Sequence, residues 1–164
     1  MTYKVGIITA SDKGSIGERV DLSGPAIEKI INKFQDFKVE KYIMLADDIN
    51  LLSNEMKNMA DKNNIDLILT TGGTGFSKRD VTPEATLSVI EKRAPGIPEA
   101  MRSISLKITP RAMLSRAEAG IRGNTLIINL PGSPKAIEET LEYIIPSVKH
   151  GLDILQGNDS NCAR

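Results

Sequence analysis

Short apolar runs alternate along this chain with longer stretches in which apolar residues recur every three or four positions. The short runs predict buried β-strands over residues 5–9, 39–45, 66–71 and 125–130. The longer stretches predict five helices. The first begins at 23–25, and the others cover 50–63, 83–93, about 97–106 and about 135–156. Pro146 is expected to bend the last helix. Strands that alternate with helices in this way are typical of a parallel sheet.

The last strand is predicted to form a hairpin with the segment before it. Ala119-Gly120-Ile121 and the run 125–130 flank Gly123-Asn124, a dipeptide that favours a tight turn. Together the elements predict the α/β class: a single-domain, three-layer α/β/α sandwich with a mostly parallel, doubly wound sheet. A length of 164 residues fits one domain, which we place over residues 1–157, followed by a polar C-terminal tail over 158–164.

Composition and charge exclude several classes of protein. Lysine and arginine together number 21, as do aspartate and glutamate, so no net charge attracts nucleic acid or an anionic bilayer. No apolar stretch approaches the roughly 20 residues that a membrane helix needs, and Met1 leads into the first strand without room for a signal peptide. The single cysteine, Cys162, excludes an internal disulfide. We therefore expect a soluble, cytoplasmic domain that binds neither nucleic acid nor membrane.

The chemistry of the chain is concentrated after the third strand. Thr70-Thr71-Gly72-Gly73-Thr74-Gly75 is followed directly by Arg79-Asp80 and by Thr82-Pro83, and Pro83 is expected to begin a helix. Glycines after a strand let the backbone approach an anion, whose oxygens then accept hydrogen bonds from amides and hydroxyls. An aspartate is useful in such a loop when it holds Mg²⁺, which in turn binds phosphate. The loop therefore predicts a nucleotide phosphate site with a metal at its edge.

Loops that are distant in sequence are predicted to meet at one edge of the sheet, because doubly wound sheets bind ligands beyond the carboxyl ends of their strands. The four loops are Ser11–Gly14, Asp47-Asp48, the glycine loop through Asp80, and the segment 129–133. Asp47 and Asp80 would lie there together. Two carboxylates and substrate oxygens suit Mg²⁺, which takes one or two protein carboxylates and keeps several waters.

The same segments carry a family resemblance. The motifs that carry it are Gly72–Gly75 with Arg79-Asp80-Val81-Thr82-Pro83-Glu84-Ala85-Thr86, Pro95-Gly96, Met101-Arg102, Leu114-Ser115-Arg116, Leu130–Pro134, Ser11-Asp12-Lys13 and Asp21–Pro25. On these motifs the chain resembles the molybdopterin adenylyltransferase (MogA/MoaB) family, and it is similar to the G domains of gephyrin and its plant counterpart. The resemblance covers almost the whole chain.

The resemblance implies an activity and a set of site residues. Family members join the terminal phosphate of molybdopterin to AMP from ATP, using Mg²⁺ and releasing pyrophosphate. The resemblance implies that Asp47 and Asp80 are the essential, metal-binding aspartates, and that Ser105 and Ser115 bind the pterin. The nucleotide- and phosphate-contacting positions that it implies are Ser11, Asp12, Thr71, Gly72, Gly73, Thr74, Gly75, Pro131, Gly132 and Ser133. It further implies a homotrimer and a hand-over of the product to a molybdate-inserting enzyme.

Adenylylation of a phosphate does not need the catalytic groups that this chain lacks. The second pKa of a phosphate monoester is about 6, so the nucleophile is ionised near neutral pH without a general base. The protein has to align two polyanions and offset their charge. The only histidine, His150, is expected to be structural. Candidates for phosphate contact or charge compensation are Thr71, Thr74, Lys78, Arg79 and Arg116.

Simpler interpretations stay open. Asp80 or Thr82 could cap the following helix, and Asp47-Asp48 could cap the next one, an interpretation that we favour for Asp48. Surface roles without ligand contact are open for Lys78, Arg79, Ser105 and Ser115. The alternative function is that of a catalytically inactive, MoaB-like molybdopterin-binding or scaffold protein. A generic nucleotide kinase or phosphatase has little support, because no Walker lysine follows the glycine loop.

Overall fold

The fold is built around one mixed sheet, and the computed structural model describes it over residues 1–158. Within those residues the sheet has six strands in the order β2-β1-β3-β6-β5-β4. The strands are β1 (Tyr3–Ala10), β2 (Phe37–Leu45), β3 (Leu67–Thr71), β4 (Lys92–Arg93), β5 (Ala119–Arg122) and β6 (Thr125–Leu130). The first four strands in the sheet order are parallel, and β5 and β4 are antiparallel to their neighbours. The prediction of a mostly parallel sheet is confirmed.

Helices cover both faces of this sheet. They are α1 (Asp12–Ser15), α2 (Ser23–Ile31), α3 (Ile49–Asp61), α4 (Thr82–Val89), α5 (Gly96–Leu106) and α6 (Pro134–Leu155), with a 3-10 helix at Pro110–Leu114. Apolar side chains of α2, α5 and α6 share one core cluster, and those of α3 and α4 share the other. The three-layer α/β arrangement is therefore confirmed, and no helix within residues 1–158 is long and apolar enough to cross a membrane.

The central strand β3 shows why the apolar runs were readable as strands. Leu67 and Leu69 point into the α2-α5-α6 core, whereas Ile68 points into the α3-α4 core. All three side chains are fully buried. A parallel strand that is covered on both faces has no polar side, so its sequence is continuously apolar.

The segment after α4 differs from the prediction of one helix over 83–93. The helix begins at Thr82, ends at Val89, and is followed by β4, in which Lys92 pairs with Ile121. The amides of Glu91 and Ala94 on either side of β4 donate to carbonyls of β5 at 2.8 and 2.9 Å. Pairing at the sheet edge thus replaces the last helical turn, and the predicted helix is wrong beyond Val89.

The C-terminal part of the fold matches the expectation closely. Arg122 pairs with Thr125 across Gly123-Asn124, so the predicted hairpin is confirmed. Helix α6 runs from Pro134 to Leu155 with Pro146 inside it, and the bend expected at Pro146 stays a prediction. The proposed tail over 158–164, including Cys162, lies outside the described residues except for its first position.

Candidate active site

Reciprocal hydrogen bonds join the loops that follow β1 and β2. The amide of Asp12 donates to Asp47 Oδ2 at 3.0 Å, and the amide of Asp47 donates to Asp12 Oδ1 at 3.0 Å. Asp48, the next residue, caps α3 by accepting from the amides of Asn50 and Leu51, both at 2.9 Å. The capping interpretation is therefore confirmed for Asp48, and Asp47 is left facing the edge of the sheet.

The glycine loop after β3 has a backbone that only glycine adopts easily. Gly72 and Gly73 have φ angles of 86° and 69°, in the left-handed region. A Cβ atom on Gly73 would lie 2.3 Å from Thr82 Oγ1 and 3.1 Å from Asp47 Oδ1. Among the described residues, nothing accepts a hydrogen bond from the amides of Gly73, Thr74 and Gly75. Those three amides are consequently free to donate to an anion.

Arg116 fixes the far side of this loop. Its Nε donates to the carbonyl of Gly75 at 2.8 Å, and its Nη2 donates to the carbonyl of Asp80 at 2.9 Å. Its Nη1 pairs with Glu84 on α4. Every nitrogen of the guanidinium is thus engaged, and Arg116 acts in this structure as an anchor for the loop.

The four loops predicted to converge do line one cavity of about 580 Å³ beyond the carboxyl ends of the parallel strands. Seven predicted site residues line it: Ser11, Asp47, Thr71, Gly72, Gly73, Asp80 and Gly132. Asp47 and Asp80 therefore lie at the same site. The cavity is acidic, because Asp21 lines it as well.

Asp47 has the features of a cation ligand. Its Oδ1 is buried and has no hydrogen-bond partner. Burial raises the pKa of the Asp47 carboxyl, and the negative charges of Asp12 and Asp80 raise it further, against the lowering effects of the Asp12 amide and Arg79. An orphaned carboxylate oxygen beside another aspartate is stabilised by a bound cation.

The residues present fit a divalent cation that also binds substrate. Within residues 1–158, no group of three or more His, Cys, Asp or Glu side chains could hold a metal ion by itself. Mg²⁺ tolerates this well, because it takes one or two carboxylates and completes its shell with water and phosphate oxygens. Asp47 and Asp80 are the residues that would hold it.

Asp80 does not cap the helix that follows it. Val81 occupies the cap position of α4 without a side-chain hydrogen bond. The Asp80 carboxylate instead accepts from the amide of Ser77 at 3.1 Å. Thr82 does not act as a cap either, since it is the first helical residue and its buried Oγ1 has no partner.

A second cavity of about 240 Å³ contains the two serines that were predicted to bind the pterin. Ser105, Ser115 and Pro131 line it, together with Arg102 and Arg111. Pro131 borders this cavity and the next residue, Gly132, borders the first one. The two cavities are therefore neighbours on either side of the Pro131-Gly132 turn.

The remaining predicted residues line neither cavity. They are Asp12, Thr74, Gly75 and Ser133. Asp12 forms a two-point ion pair with Arg79, with both contacts at 2.9 Å, and that guanidinium lowers the pKa of the Asp12 carboxyl. Ser133 caps α6. Thr71 lines the first cavity, but its hydroxyl is buried and donates to the carbonyl of Pro131 at 2.7 Å.

Two charged residues of the first cavity, Arg19 and Asp21, were not among the predicted site residues, although Asp21 belongs to one of the motifs of the resemblance. Asp21 carried a signal, because it precedes Ser23-Gly24-Pro25 at a helix start. Its carboxylate accepts from the hydroxyls of Thr9 and Tyr42 and from the amides of Ser23 and Gly24. Arg19 carried no signal, because an isolated arginine in a polar segment resembles any solvated residue.

Fold and site together define an α/β protein with a loop-lined cavity at the carboxyl edge of a doubly wound sheet. The family model described as "Probable molybdopterin binding domain" matches residues 6–150. The chain belongs to this family.

Individual relatives agree with the family assignment. A molybdopterin adenylyltransferase of Helicobacter pylori is 45% identical over 158 residues, which cover 96% of this chain and 90% of the relative. Gephyrin of Dictyostelium discoideum is 44% identical over 92% of this chain, a match that spans 22% of gephyrin. The crystal structure of the molybdopterin biosynthesis enzyme MoaB from Thermus thermophilus superposes with a TM-score of 0.90 at 44% identity, and the match covers 95% of this chain and 98% of that one. These findings place the chain among the proteins of molybdenum cofactor biosynthesis and confirm the resemblance drawn from its motifs.

Proposed function

We propose that this protein transfers AMP from ATP to the terminal phosphate of molybdopterin, giving adenylyl-molybdopterin and pyrophosphate in a Mg²⁺-dependent reaction. The names of the relatives support the activity. The observation that carries the proposal is the pair of cavities that meet at the Pro131-Gly132 turn. A group transfer between two anions needs two adjoining sites, and this edge of the sheet offers them.

The first cavity suits the polyphosphate of ATP. Gly73 lines this cavity, and its free amide is a donor of the kind that binds phosphate oxygens; the free amides of Thr74 and Gly75 follow it in the same loop, outside the cavity lining. Asp47 and Asp80 would hold Mg²⁺ at the edge of that loop. The bound cation would offset charge on the phosphate oxygens as the transfer proceeds.

The second cavity suits the pterin and its phosphate. Ser105 and Ser115 offer hydroxyls, and Arg111 has no ion pair or side-chain hydrogen bond within the described residues. Arg102 is already engaged, because its Nη1 donates to the carbonyls of Ser115 and Ala117 at 3.3 and 3.0 Å. We assign Arg102 to the support of this wall and Arg111 to the ligand.

The transfer balances without a protein base. A phosphate oxygen of molybdopterin attacks the α-phosphorus of ATP, a new P–O–P link forms, and the bond between the α-phosphorus and its bridging oxygen breaks. Pyrophosphate leaves with the electron pair. Because the attacking phosphate is ionised near neutral pH, the protein has to position the two anions and to screen their charge.

The direct test is to incubate the purified protein with molybdopterin, ATP and MgCl₂ and to separate the products by chromatography. Adenylyl-molybdopterin is the expected product. Asp80→Asn should lower kcat on the order of 100-fold, because it weakens the cation site, and should leave the Kd for molybdopterin within about twofold. Asp61→Asn is the matched control, since Asp61 pairs with Arg122 and lines neither cavity.

The same experiment separates the two candidate functions. Binding of molybdopterin without product would favour the inactive, MoaB-like scaffold. Equal losses of turnover and pterin affinity in Asp80→Asn would contradict the role of Asp80. The homotrimer, the cytoplasmic location and the hand-over to a molybdate-inserting enzyme stay predictions, and light scattering on the purified protein would test the first of them.

A further inference from the structure

The first cavity carries an imbalance of charge for a site that has to take a polyanion. Asp21, Asp47 and Asp80 line it, and Arg19 is the only basic residue among the described residues that do so. A nucleotide polyphosphate would meet this excess of carboxylates even when a cation bridges part of it. A basic side chain of the protein inside the cavity therefore contributes to the affinity for the nucleotide.

Two other arginines near the glycine loop are already engaged. Arg79 is held by Asp12 through two contacts of 2.9 Å. Arg116 is held by the carbonyls of Gly75 and Asp80 and by Glu84. Within residues 1–158, no hydrogen bond or ion pair involves the Arg19 side chain, so its guanidinium can bind a ligand without first breaking a contact.

The segment that carries Arg19 is anchored at both ends. At its start, the amides of Gly17 and Glu18 donate to the carbonyls of Gly14 and Lys13 at 3.1 and 2.9 Å. At its end stands Asp21, whose carboxylate accepts four hydrogen bonds. Its partners are Thr9 Oγ1 at 2.8 Å, Tyr42 Oη, and the amides of Ser23 and Gly24 at 2.9 and 3.1 Å. Arg19 is therefore held at the wall of the cavity, not on a free loop.

The protonation states of the anchor keep it intact at neutral pH. Burial raises the pKa of the Asp21 carboxyl, but its four hydrogen bonds outweigh that effect and lower the pKa below the usual value. Burial and the bond to Asp21 raise the pKa of Tyr42 to about 12. Asp21 is consequently ionised and Tyr42 protonated, which is the pairing that their hydrogen bond requires.

We propose that Arg19 is a substrate-binding residue that contacts the polyphosphate chain of the nucleotide. A planar guanidinium matches phosphate oxygens in a two-point geometry. The polyphosphate is favoured over the phosphate of the pterin because Arg19 lines the cavity of the glycine loop and not the cavity of Ser105 and Ser115. This inference rests on the proposed function, since it assigns the nucleotide to the first cavity.

Binding measured without turnover tests this contact. The probes are inorganic pyrophosphate with MgCl₂ and ATP with MgCl₂, titrated into the protein by calorimetry, and molybdopterin titrated separately. Arg19→Gln should weaken pyrophosphate and ATP about tenfold, and Arg19→Lys should recover part of the loss, because a charge remains without the two-point geometry. Arg93→Gln serves as the control, because Arg93 pairs with Glu118 and lines neither cavity.

The outcomes separate this inference from the proposed function. Unchanged affinity of Arg19→Gln for pyrophosphate and ATP, or an equal loss for molybdopterin, would overturn the assignment of Arg19. A wild-type protein that binds ATP through Arg19 but forms no product would refute the proposed function and leave the contact standing. A thermal melt like that of the wild type would show that Arg19→Gln is folded, as expected for an exposed side chain.

Discussion

Gly72→Ala should destabilise the protein strongly, although the change adds one methyl group. Gly72 has a φ of 86°, and a Cβ atom there would lie 2.4 Å from the carbonyl oxygen of Ala10. That oxygen belongs to the last residue of β1, so it cannot rotate away as a side chain would. The mutation therefore forces either the glycine loop or the end of a central strand to move.

Two terms set the size of the effect. An L-residue in the left-handed region costs about 1–2 kcal/mol, and overpacking against a fixed group costs typically about 1–3 kcal/mol. The sum is roughly 2–5 kcal/mol, a large part of the about 5–15 kcal/mol by which a domain is stable. For a chain of this length we expect the melting temperature to fall on the order of 10 °C.

Thermal and urea unfolding followed by circular dichroism would measure this loss. Gly132→Ala is the matched control, because its Cβ would meet nothing nearer than Gly72 Cα at 3.7 Å and its backbone is outside the left-handed region. We expect the control to stay within about 0.5 kcal/mol of the wild type. A Gly72→Ala protein as stable as the control would refute the argument from backbone conformation.

Two further predictions concern the loops beside this glycine. The pKa of Asp47 is higher in the folded protein than its value near 3.8 in the unfolded chain. The contribution of Asp47 to the free energy of unfolding is therefore fully present below pH 3.8, and it is lost as the pH rises through the pKa of the folded protein. Asp47→Asn should therefore raise the melting temperature at neutral pH. It should also weaken the binding of Mn²⁺ or Mg²⁺ in the presence of nucleotide. An increase in melting temperature that persisted below pH 4 would contradict this reasoning. Arg116→Ala frees the carbonyls of Gly75 and Asp80. It should lower the free energy of unfolding, measured in urea, by about 1–3 kcal/mol. It should also raise the KM for ATP. An unchanged KM would show that the loop keeps its shape without this anchor.

The fold was readable from the sequence where burial left a pattern. The run around Leu67, Ile68 and Leu69 is apolar because both faces of β3 are covered, and this holds for a central strand of any such sheet. The convergence of Asp47 and Asp80 followed from topology alone, since parallel strands end at one edge. Neither inference needed a contact to be known in advance.

The failures share a different cause. Lys92-Arg93 is a strand only because β5 offers it partners, and two exposed charged residues have no apolar signature. The ion pair of Arg79 with Asp12 joins residues that are 67 positions apart, so its existence depends on the folded loops. Arg19 was missed for the same reason, because its importance lies in which neighbouring charges are already paired.

The distribution of these pairings is compatible with the proposed reaction between two anions at this acidic edge. Arg79 forms its ion pair with Asp12, and Arg116 donates to backbone carbonyls, so neither guanidinium is hydrogen-bonded to Asp47. Asp47 Oδ1 is left without a partner, which disfavours the empty folded state. A ligand that binds only the folded state raises the free energy of unfolding, and the increase grows with the logarithm of the ratio of ligand concentration to Kd. A cation with its nucleotide would therefore stabilise the protein through the same carboxylate that weakens the empty site, which is the result expected if Asp47 holds the cation that we propose.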